Sequence, residues 1–137
     1  MPESQPGETL ADMEFPIQLS ILIVTYNSSS TIRVCLESVF QELQSLRGEV
    51  IVVDNKSTDD TVSILDELLA QNPTLKVELN RTNRGFAVGN NQALEMAGGQ
   101  HILILNPDTI LQKDVLKNLL VELEKDSKTG VVAPQLQ

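Results

Sequence analysis

A regular alternation between short apolar runs and longer segments with helical spacing most constrains the fold of this chain. Residues 18–25 (QLSILIVT) form an almost continuous apolar run, as expected for a strand covered on both faces. From Ile32 to Leu43 the apolar residues instead recur every three or four positions, which indicates a helix with one buried face. The later predicted strands are 49–53, 75–79, 101–105 and a possible fifth at 130–133, and the later helices are 62–69, 86–97 and 115–123.

Strands that alternate with helices favour right-handed crossovers and a largely parallel sheet with helices on its faces. We therefore predict a three-layer α/β/α fold of the Rossmann-like kind. The length of 137 residues suits one domain. Residues 1–15 are rich in Pro, Glu and Ser and predict a flexible N-terminal tail, so the domain is expected to cover residues 16–137.

Polar residues in front of the first two helices predict their N-caps. The cluster 27–30 (NSSS) precedes the first helix, and Ser57 or Thr58 precedes the second. These side chains can accept hydrogen bonds from the free N–H groups of a first helical turn.

Composition argues against several classes of function. The net charge of −9 disfavours nucleic acid or an anionic membrane surface as the main partner. The sequence contains no apolar run near the ~20 residues that a membrane-spanning helix needs. Cys35, the single cysteine, allows no internal disulfide, and we expect it in the core. With no export signal recognised, a cytoplasmic location is predicted, possibly at the cytoplasmic face of a membrane as part of a longer enzyme.

Three predicted strands end in polar residues. Thr25-Tyr26-Asn27 follows the first strand, Asp54-Asn55 the second and Asn106-Pro107-Asp108 the fourth. Ordinary turn chemistry explains each of these segments when it is taken alone. Ligands of open parallel sheets, however, bind beyond the carboxyl ends of the strands, where the three segments should converge. Together they predict a binding site on that rim.

Four segments of the chain resemble the family 2 glycosyltransferases, which have the GT-A fold. They are 20–27 (SILIVTYN), 49–61 (EVIVVDNKSTDDT), 83–91 (NRGFAVGNN) and 103–109 (LILNPDT), in the order and at intervals similar to those of the family. The last segment is most similar to the branch that contains rhamnosyltransferase-like enzymes. The resemblance implies a hexosyltransferase of cell-wall or polysaccharide synthesis. Such an enzyme moves a sugar from a UDP- or dTDP-linked donor to an acceptor hydroxyl, with inversion and with Mg²⁺ or Mn²⁺.

The resemblance also implies roles for individual residues. Asp54 would accept a hydrogen bond from the N–H of a uracil- or thymine-type base, and the Tyr26 ring would border that base. Asp108 would bind the metal ion as part of the Asp-x-Asp motif of the family. The implied nucleotide-binding residues are Thr25, Tyr26, Asn27, Asp54, Asn83, Arg84, Gly85, Asn90 and Asn106.

One position departs from the family motif. Asn106 stands where the first aspartate of Asp-x-Asp is expected. Its amide can still hydrogen-bond a ribose or sugar hydroxyl, but it carries no charge. A hard cation would then be held mainly by diphosphate oxygens, water and Asp108.

The general base of the resembled family lies well downstream of this motif, in the acceptor half. We therefore expect the base beyond residue 137 and regard the chain as the N-terminal, donor-binding part of a longer enzyme. On its own it is expected to bind nucleotide without turnover. An exposed sheet edge in such a part would favour self-association. The acceptor, whether glycan, lipid-linked or protein, stays open.

Three other classes of protein have a similar alternation of strands and helices. A dinucleotide-binding dehydrogenase would carry Gly-x-Gly-x-x-Gly after the first strand, where residues 26–30 read YNSSS instead. A signalling receiver domain would need an acidic cluster after the first strand and a lysine near the last, and neither is found in place. A non-catalytic interaction or nucleotide-binding module with the same fold remains open.

Overall fold

The computed structural model describes residues 16–125, so the predicted tail 1–15 and the predicted fifth strand at 130–133 lie outside the described residues. The order of strands and helices is as predicted, with element ends shifted by one or two residues. The strands are β1 Ile17–Thr25, β2 Gly48–Asp54, β3 Leu75–Leu79 and β4 Gly99–Ile104. The helices are α1 Ile32–Leu43, α2 Thr61–Gln71, α3 Phe86–Met96 and α4 Val115–Lys125.

The four strands form one sheet in the order β3-β2-β1-β4, and all neighbours are parallel. Thr25 lies opposite Asp54, and Asp54 lies opposite Leu79, so β1, β2 and β3 end level with one another. β4 ends earlier, with Ile104 opposite Leu22. The chain therefore leaves β4 a few residues before the other strands end.

Helices cover both faces of the sheet, which confirms the predicted three-layer α/β/α architecture. Buried residues of α1, α2 and α4 form the larger core with Leu19, Ile21 and Ile23 of β1. On the opposite face Ala93 of α3 forms a smaller core with Leu22 of β1 and with Ile51 and Val53 of β2. Side chains that alternate along β1 thus enter two cores, as the pleat of a strand requires. Within residues 16–125, no helix is long and apolar enough to cross a membrane.

The predicted N-caps of the first two helices are wrong. The residues in the capping positions are Thr31 and Asp60, and neither makes a capping hydrogen bond with its side chain. At the start of α1 the backbone carbonyl of Ser28 accepts the N–H of Ile32 at 2.9 Å. Ser57 lies too early to cap α2, and its hydroxyl is bonded to Asp54 instead.

A buried carboxylate ties the strands together at the amino end of the sheet. Glu49 accepts hydrogen bonds from the Ser20 hydroxyl at 2.6 Å and from the Gly98 N–H at 2.7 Å, and it pairs with the half-exposed Lys76 at 2.8 Å. Burial alone would raise the pKa of Glu49, but the bonds from Lys76, Ser20 and Gly98 outweigh it and hold the pKa below the ordinary 4.5.

Glu49→Gln should therefore destabilise the fold at neutral pH by about 1–3 kcal/mol, because charge-assisted bonds in a buried site are lost. A lowered pKa in the folded state stabilises the protein above the ordinary pKa and loses that effect on acidification. The difference between wild type and Glu49→Gln, measured by urea unfolding, should shrink as the pH falls below 4.5. Glu78→Gln, at an exposed position on β3, is the matched control and should change stability little at any pH. A pH-independent loss in Glu49→Gln would contradict the assignment.

Candidate functional site

A cleft of about 520 Å³ opens beyond the carboxyl ends of the strands. Six of the ten predicted site residues line it, contributed by the segments that follow β1, β3 and β4. These six are Tyr26, Asn27, Asn83, Gly85, Asn106 and Asp108. The lining residues that were not among the predicted ones are Val24, Ser28, Ser30, Thr31, Asn55, Phe86 and Pro107.

The other four predicted residues do not line this cleft. Thr25 and Asp54 are fully buried at the ends of β1 and β2, each next in sequence to a lining residue. Arg84 is exposed on the loop between β3 and α3. Asn90 is buried on α3. Their predicted contacts with a nucleotide stay predictions.

The Asp54 carboxylate is held by donors from the end of β1 and from the loop that follows β2. Its Oδ1 accepts the Thr25 hydroxyl at 2.7 Å and the Ser57 hydroxyl at 2.6 Å, and its Oδ2 accepts the Ser57 N–H at 2.9 Å. An ionised carboxylate offers about four acceptor positions. Three are used within the protein, which leaves one position on Oδ2.

The turn after β1 is bonded to the loop after β2 through Asn27. Its side-chain oxygen accepts the N–H of Thr58 at 2.8 Å and that of Asp59 at 3.3 Å, while its own N–H donates to the Ser57 hydroxyl at 2.8 Å. Asn27 has a φ of 49°, a left-handed conformation that asparagine tolerates better than most residues. The side-chain oxygen of Asn27 therefore joins the turn after β1 to the loop after β2.

A second link between the same loops runs through Asp59. Its carboxylate accepts bonds from the hydroxyl and N–H of Thr61 and from the N–H of Ser29. The bonds from Thr61, followed by those from Ser29, hold the pKa of Asp59 well below its usual range. Together with the Ser28 N–H, which donates to the Thr61 hydroxyl at 2.8 Å, they fix the two loops as one rim of the cleft.

Asn55 fixes the opposite wall of the cleft. Its amide nitrogen donates to the carbonyl of Gly85 at 3.0 Å. Its oxygen accepts the Asn80 amide at 2.9 Å and the Arg84 N–H at 3.3 Å. The sequence placed Asn55 in one of the converging strand-end segments, but the family resemblance implied no role for it. The bonds hold residues 83–85 against the end of β2.

The start of α3 is held by two further features. Asn80 and Gln92 exchange two amide hydrogen bonds, of 2.8 and 2.9 Å, which join the end of β3 to α3. Gly85, directly before the helix, has a φ of 86° and accepts no Cβ without strain. Gly89 serves packing, because a Cβ there would lie 2.9 Å from the methyl groups of Val24 on β1.

Asp108 projects from a turn that rests on α1. The Thr109 N–H donates to the Asn106 carbonyl at 3.1 Å, and the Cys35 sulfur lies 3.8 Å from the same carbonyl. Burial raises the pKa of the Cys35 thiol to about 11, although the Thr109 N–H works against that shift and the Asp108 charge adds to it. Cys35 is thus an inert core thiol at neutral pH.

The donor set around Asp108 limits how a metal ion could be held. Among residues 16–125, no group of three or more His, Cys, Asp or Glu side chains could form a protein cage for a metal ion. In the cleft, Asp108 offers a carboxylate and Asn106 an amide oxygen. This set fits a cation that takes one carboxylate and completes its shell with ligand phosphates and water, as Mg²⁺ commonly does.

Asn90 carries an unused acceptor. The residue is only 8% exposed, and its Oδ1 has no hydrogen-bond partner within the described part of the chain. Buried polar atoms usually have a partner, and this one belongs to a residue that does not line the cleft.

The domain is a parallel α/β sheet with a cleft beyond the ends of its strands, and comparison with known proteins gives its family. Residues 20–136 match the model of glycosyl transferase family 2, and the chain belongs to that family. It is 36% identical over 115 residues to chondroitin synthase of Escherichia coli and 29% identical over 114 residues to poly-beta-1,6-N-acetyl-D-glucosamine synthase of Staphylococcus aureus. The matches cover 83% of this chain but 16% and 27% of those proteins, so it corresponds to a minor part of each.

Solved structures with the same fold include nucleotide-sugar complexes. S. aureus TarS 1-349 in complex with UDP-GlcNAc superimposes with a TM-score of 0.73 at 28% identity, covering 87% of this chain and 37% of that one. A mannosyltransferase from Pyrobaculum calidifontis in complex with GDP-Man and Mn²⁺ gives a TM-score of 0.72 at 28% identity, covering 77% and 32%. These neighbours confirm the predicted GT-A-type α/β fold.

Because Asn55 satisfies three backbone or side-chain groups at once, Asn55→Ala should cost about 1–3 kcal/mol of folding free energy. Urea unfolding measures the loss, and hydrogen exchange should report faster opening at the Arg84 amide. Asn91→Ala, at an exposed position on α3, is the control and should stay within about 0.5 kcal/mol of wild type. Similar, small effects of the two substitutions would argue against Asn55 as the anchor of residues 83–85.

Proposed function

We propose that this chain is the donor-binding part of a glycosyltransferase that uses a UDP- or dTDP-linked sugar and a divalent cation. In the proposed reaction the sugar passes to an acceptor hydroxyl with inversion. The observation that carries the proposal is one cleft, at the carboxyl ends of β1 and β4, that brings together Tyr26, Asn83 and Asp108. Family membership and neighbours solved with UDP and with UDP-GlcNAc support the same assignment.

The base is proposed to bind at the ends of β1 and β2. Asp54 has one acceptor position left on Oδ2, and the N–H of a uracil or thymine ring is a matching donor. Guanine also offers ring N–H groups, but it is larger than a pyrimidine. The bonds from Thr25 and Ser57 keep the Asp54 carboxylate fixed before a ligand arrives, which lowers the entropic cost of binding.

Two aromatic rings are proposed to contact the flat faces of the donor. Tyr26 is 51% exposed and Phe86 is 53% exposed, and both line the cleft. Phe40, the remaining aromatic side chain of residues 16–125, is partly buried against the core. Half-exposed aromatic rings in one cleft are well placed to stack against a base or the apolar face of a sugar.

The diphosphate is proposed to lie near Asp108, with the cation shared between them. Asn106 offers an amide to a ribose or sugar hydroxyl. The exposed guanidinium of Arg84, on the loop between β3 and α3, provides a positive charge for the diphosphate. When bound, the cation would neutralise the charge that develops on the leaving diphosphate. Asp108 would orient it, and the start of α3 would direct N–H groups at phosphate.

The longer enzyme is proposed to act in polysaccharide or cell-wall synthesis at a cytoplasmic site. Two relatives are synthases of chondroitin and of poly-beta-1,6-N-acetyl-D-glucosamine, and this chain spans 16% and 27% of their lengths. The acceptor-side base is proposed to belong to a further part of the enzyme. The likeness of residues 103–109 to rhamnosyltransferase-like enzymes stays a prediction.

Calorimetric titration with UDP, dTDP and GDP, each with and without Mn²⁺, tests the proposal. UDP and dTDP should bind with similar affinity, more tightly than GDP, and Mn²⁺ should strengthen both. Asp54→Asn can keep its amide oxygen at the Oδ1 position, where it accepts from the Thr25 and Ser57 hydroxyls, and then places an NH₂ group at the Oδ2 position. It should weaken UDP and dTDP alike by about tenfold or more, the value of one charge-assisted hydrogen bond. Asp108→Asn should remove mainly the Mn²⁺ effect.

Asp66→Asn, on the exposed face of α2, is the matched charge control and should bind as wild type does. Unfolding curves of each variant separate lost binding from lost structure. Absence of nucleotide binding by the folded wild-type chain under all conditions would overturn the proposal for this chain and favour a non-catalytic module with the same fold.

Phe86→Ala should weaken UDP binding, because stacking of one base on an aromatic ring contributes about 1–3 kcal/mol. Phe86→Leu keeps apolar area but has no ring, so its UDP affinity should lie between those of wild type and Phe86→Ala. Leu94→Ala, at a 49% exposed position on the same helix but outside the cleft, is the control. Equal affinities of wild type and Phe86→Ala would remove Phe86 from the site.

A further inference from the structure

Three residues on one side of α1 contact the segment that carries Asp108. Cys35, Ser38 and Glu42 are spaced three and four positions apart, so they share one side of the helix. The segment in question is residues 106–116, from the end of β4 into the first turn of α4, called here the Asp108 segment. The three side chains make four contacts with this segment, and all of them go to its backbone.

The contacts are spread along the whole Asp108 segment. The Cys35 sulfur meets its first carbonyl, that of Asn106, at 3.8 Å. The Ser38 hydroxyl accepts the N–H of Leu111 at 3.0 Å. That hydroxyl is itself oriented, because it donates to the carbonyl of Cys35 at 2.7 Å. Its lone pairs are thus directed at the segment.

Glu42 holds the far end of the segment with both carboxylate oxygens. One accepts the N–H of Asp114 at 3.1 Å and the other that of Leu116 at 3.2 Å. The first N–H groups of a helix have no partner within the helix, and a carboxylate is a favourable partner at that positive end. Asp114 has a φ of 65°, a left-handed conformation that needs outside support in a residue other than glycine. Glu42 thus caps α4 from a different helix.

We infer that Ser38 and Glu42 are positioning residues that set where Asp108 stands in the cleft. Asp108 is exposed, and its position is fixed through the backbone on either side of it. Among the described residues, the hydrogen bonds that reach residues 106–111 from another element come from α1, whereas Gln112 and Asp114 also accept N–H groups of α4. Ligand geometry at a cation tolerates only small errors, so a segment free to shift would weaken metal binding before it unfolded the domain. The inference rests on the proposed metal role of Asp108.

The test measures UDP affinity of the chain with and without Mn²⁺ in Ser38→Ala and Glu42→Ala. Each variant should keep its metal-free affinity within about twofold and lose about fivefold or more of the Mn²⁺ enhancement, because a misplaced ligand costs binding only when the ion is present. Ser38→Thr, which retains an acceptor hydroxyl, should recover most of the enhancement. Glu37→Gln, exposed on the same helix, is the charge control and should keep it all.

A double-substitution cycle with Asp108→Ala tests whether the lost Mn²⁺ enhancement acts through Asp108. With Asp108 removed, Glu42→Ala should have no further effect on the metal enhancement. Hydrogen exchange at the Leu111 amide should rise in Ser38→Ala, and that at Asp114 in Glu42→Ala. If wild type shows the Mn²⁺ effect and folded Ser38→Ala and Glu42→Ala retain it, the inference is wrong while the proposed function stands. If wild type binds UDP without any Mn²⁺ effect, the metal role of Asp108 fails, and the inference with it.

Discussion

Burial of two polar side chains at the end of one apolar strand constrains the segments on both sides of β2. Asp54 and Asn55 directly follow Val53 in β2 and are 1% and 2% exposed. Polar groups buried in this way are costly unless hydrogen-bonded, so their partners must be held in place. Asp54 takes one donor from Thr25 of β1 and two from Ser57 in the loop that follows β2, and Asn55 takes its partners from the loop before α3. Two adjacent residues thereby organise both walls of the cleft.

The sequence predicted the elements well because their signal is local. Strand β3 was predicted with its observed ends, and the apolar stripe of α1 became part of the main core. Convergence of the strand ends could also be predicted, because it follows from parallel topology alone. The caps could not, since whether Ser57 caps a helix or bonds Asp54 depends on a competition between two partners that only the folded chain decides.

The missed lining residues have a similar explanation. Phe86 looked like the first apolar residue of a helix, and nothing in its spacing says that half of its surface stays exposed. Gly89, in the segment 83–91 that resembles the family, lies outside the cleft, and the neighbour that its missing Cβ accommodates is Val24. In each case the residue type and the element were predictable, but the direction in which the residue faces depends on the packing of α3 against β1.

The two ends of the sheet hold their buried carboxylates in different ways. At the amino end Glu49 uses both carboxylate oxygens within the protein, and its partners come from three other segments. Such a closed network contributes to stability and offers nothing to a ligand. At the carboxyl end Asp54 keeps one acceptor position, Asn90 has an unused oxygen, and Tyr26 and Phe86 keep half of their surface in solvent. A ligand that donated to Asp54 and covered the two rings would use this capacity, which is the physical basis of placing the proposed donor site at the carboxyl end.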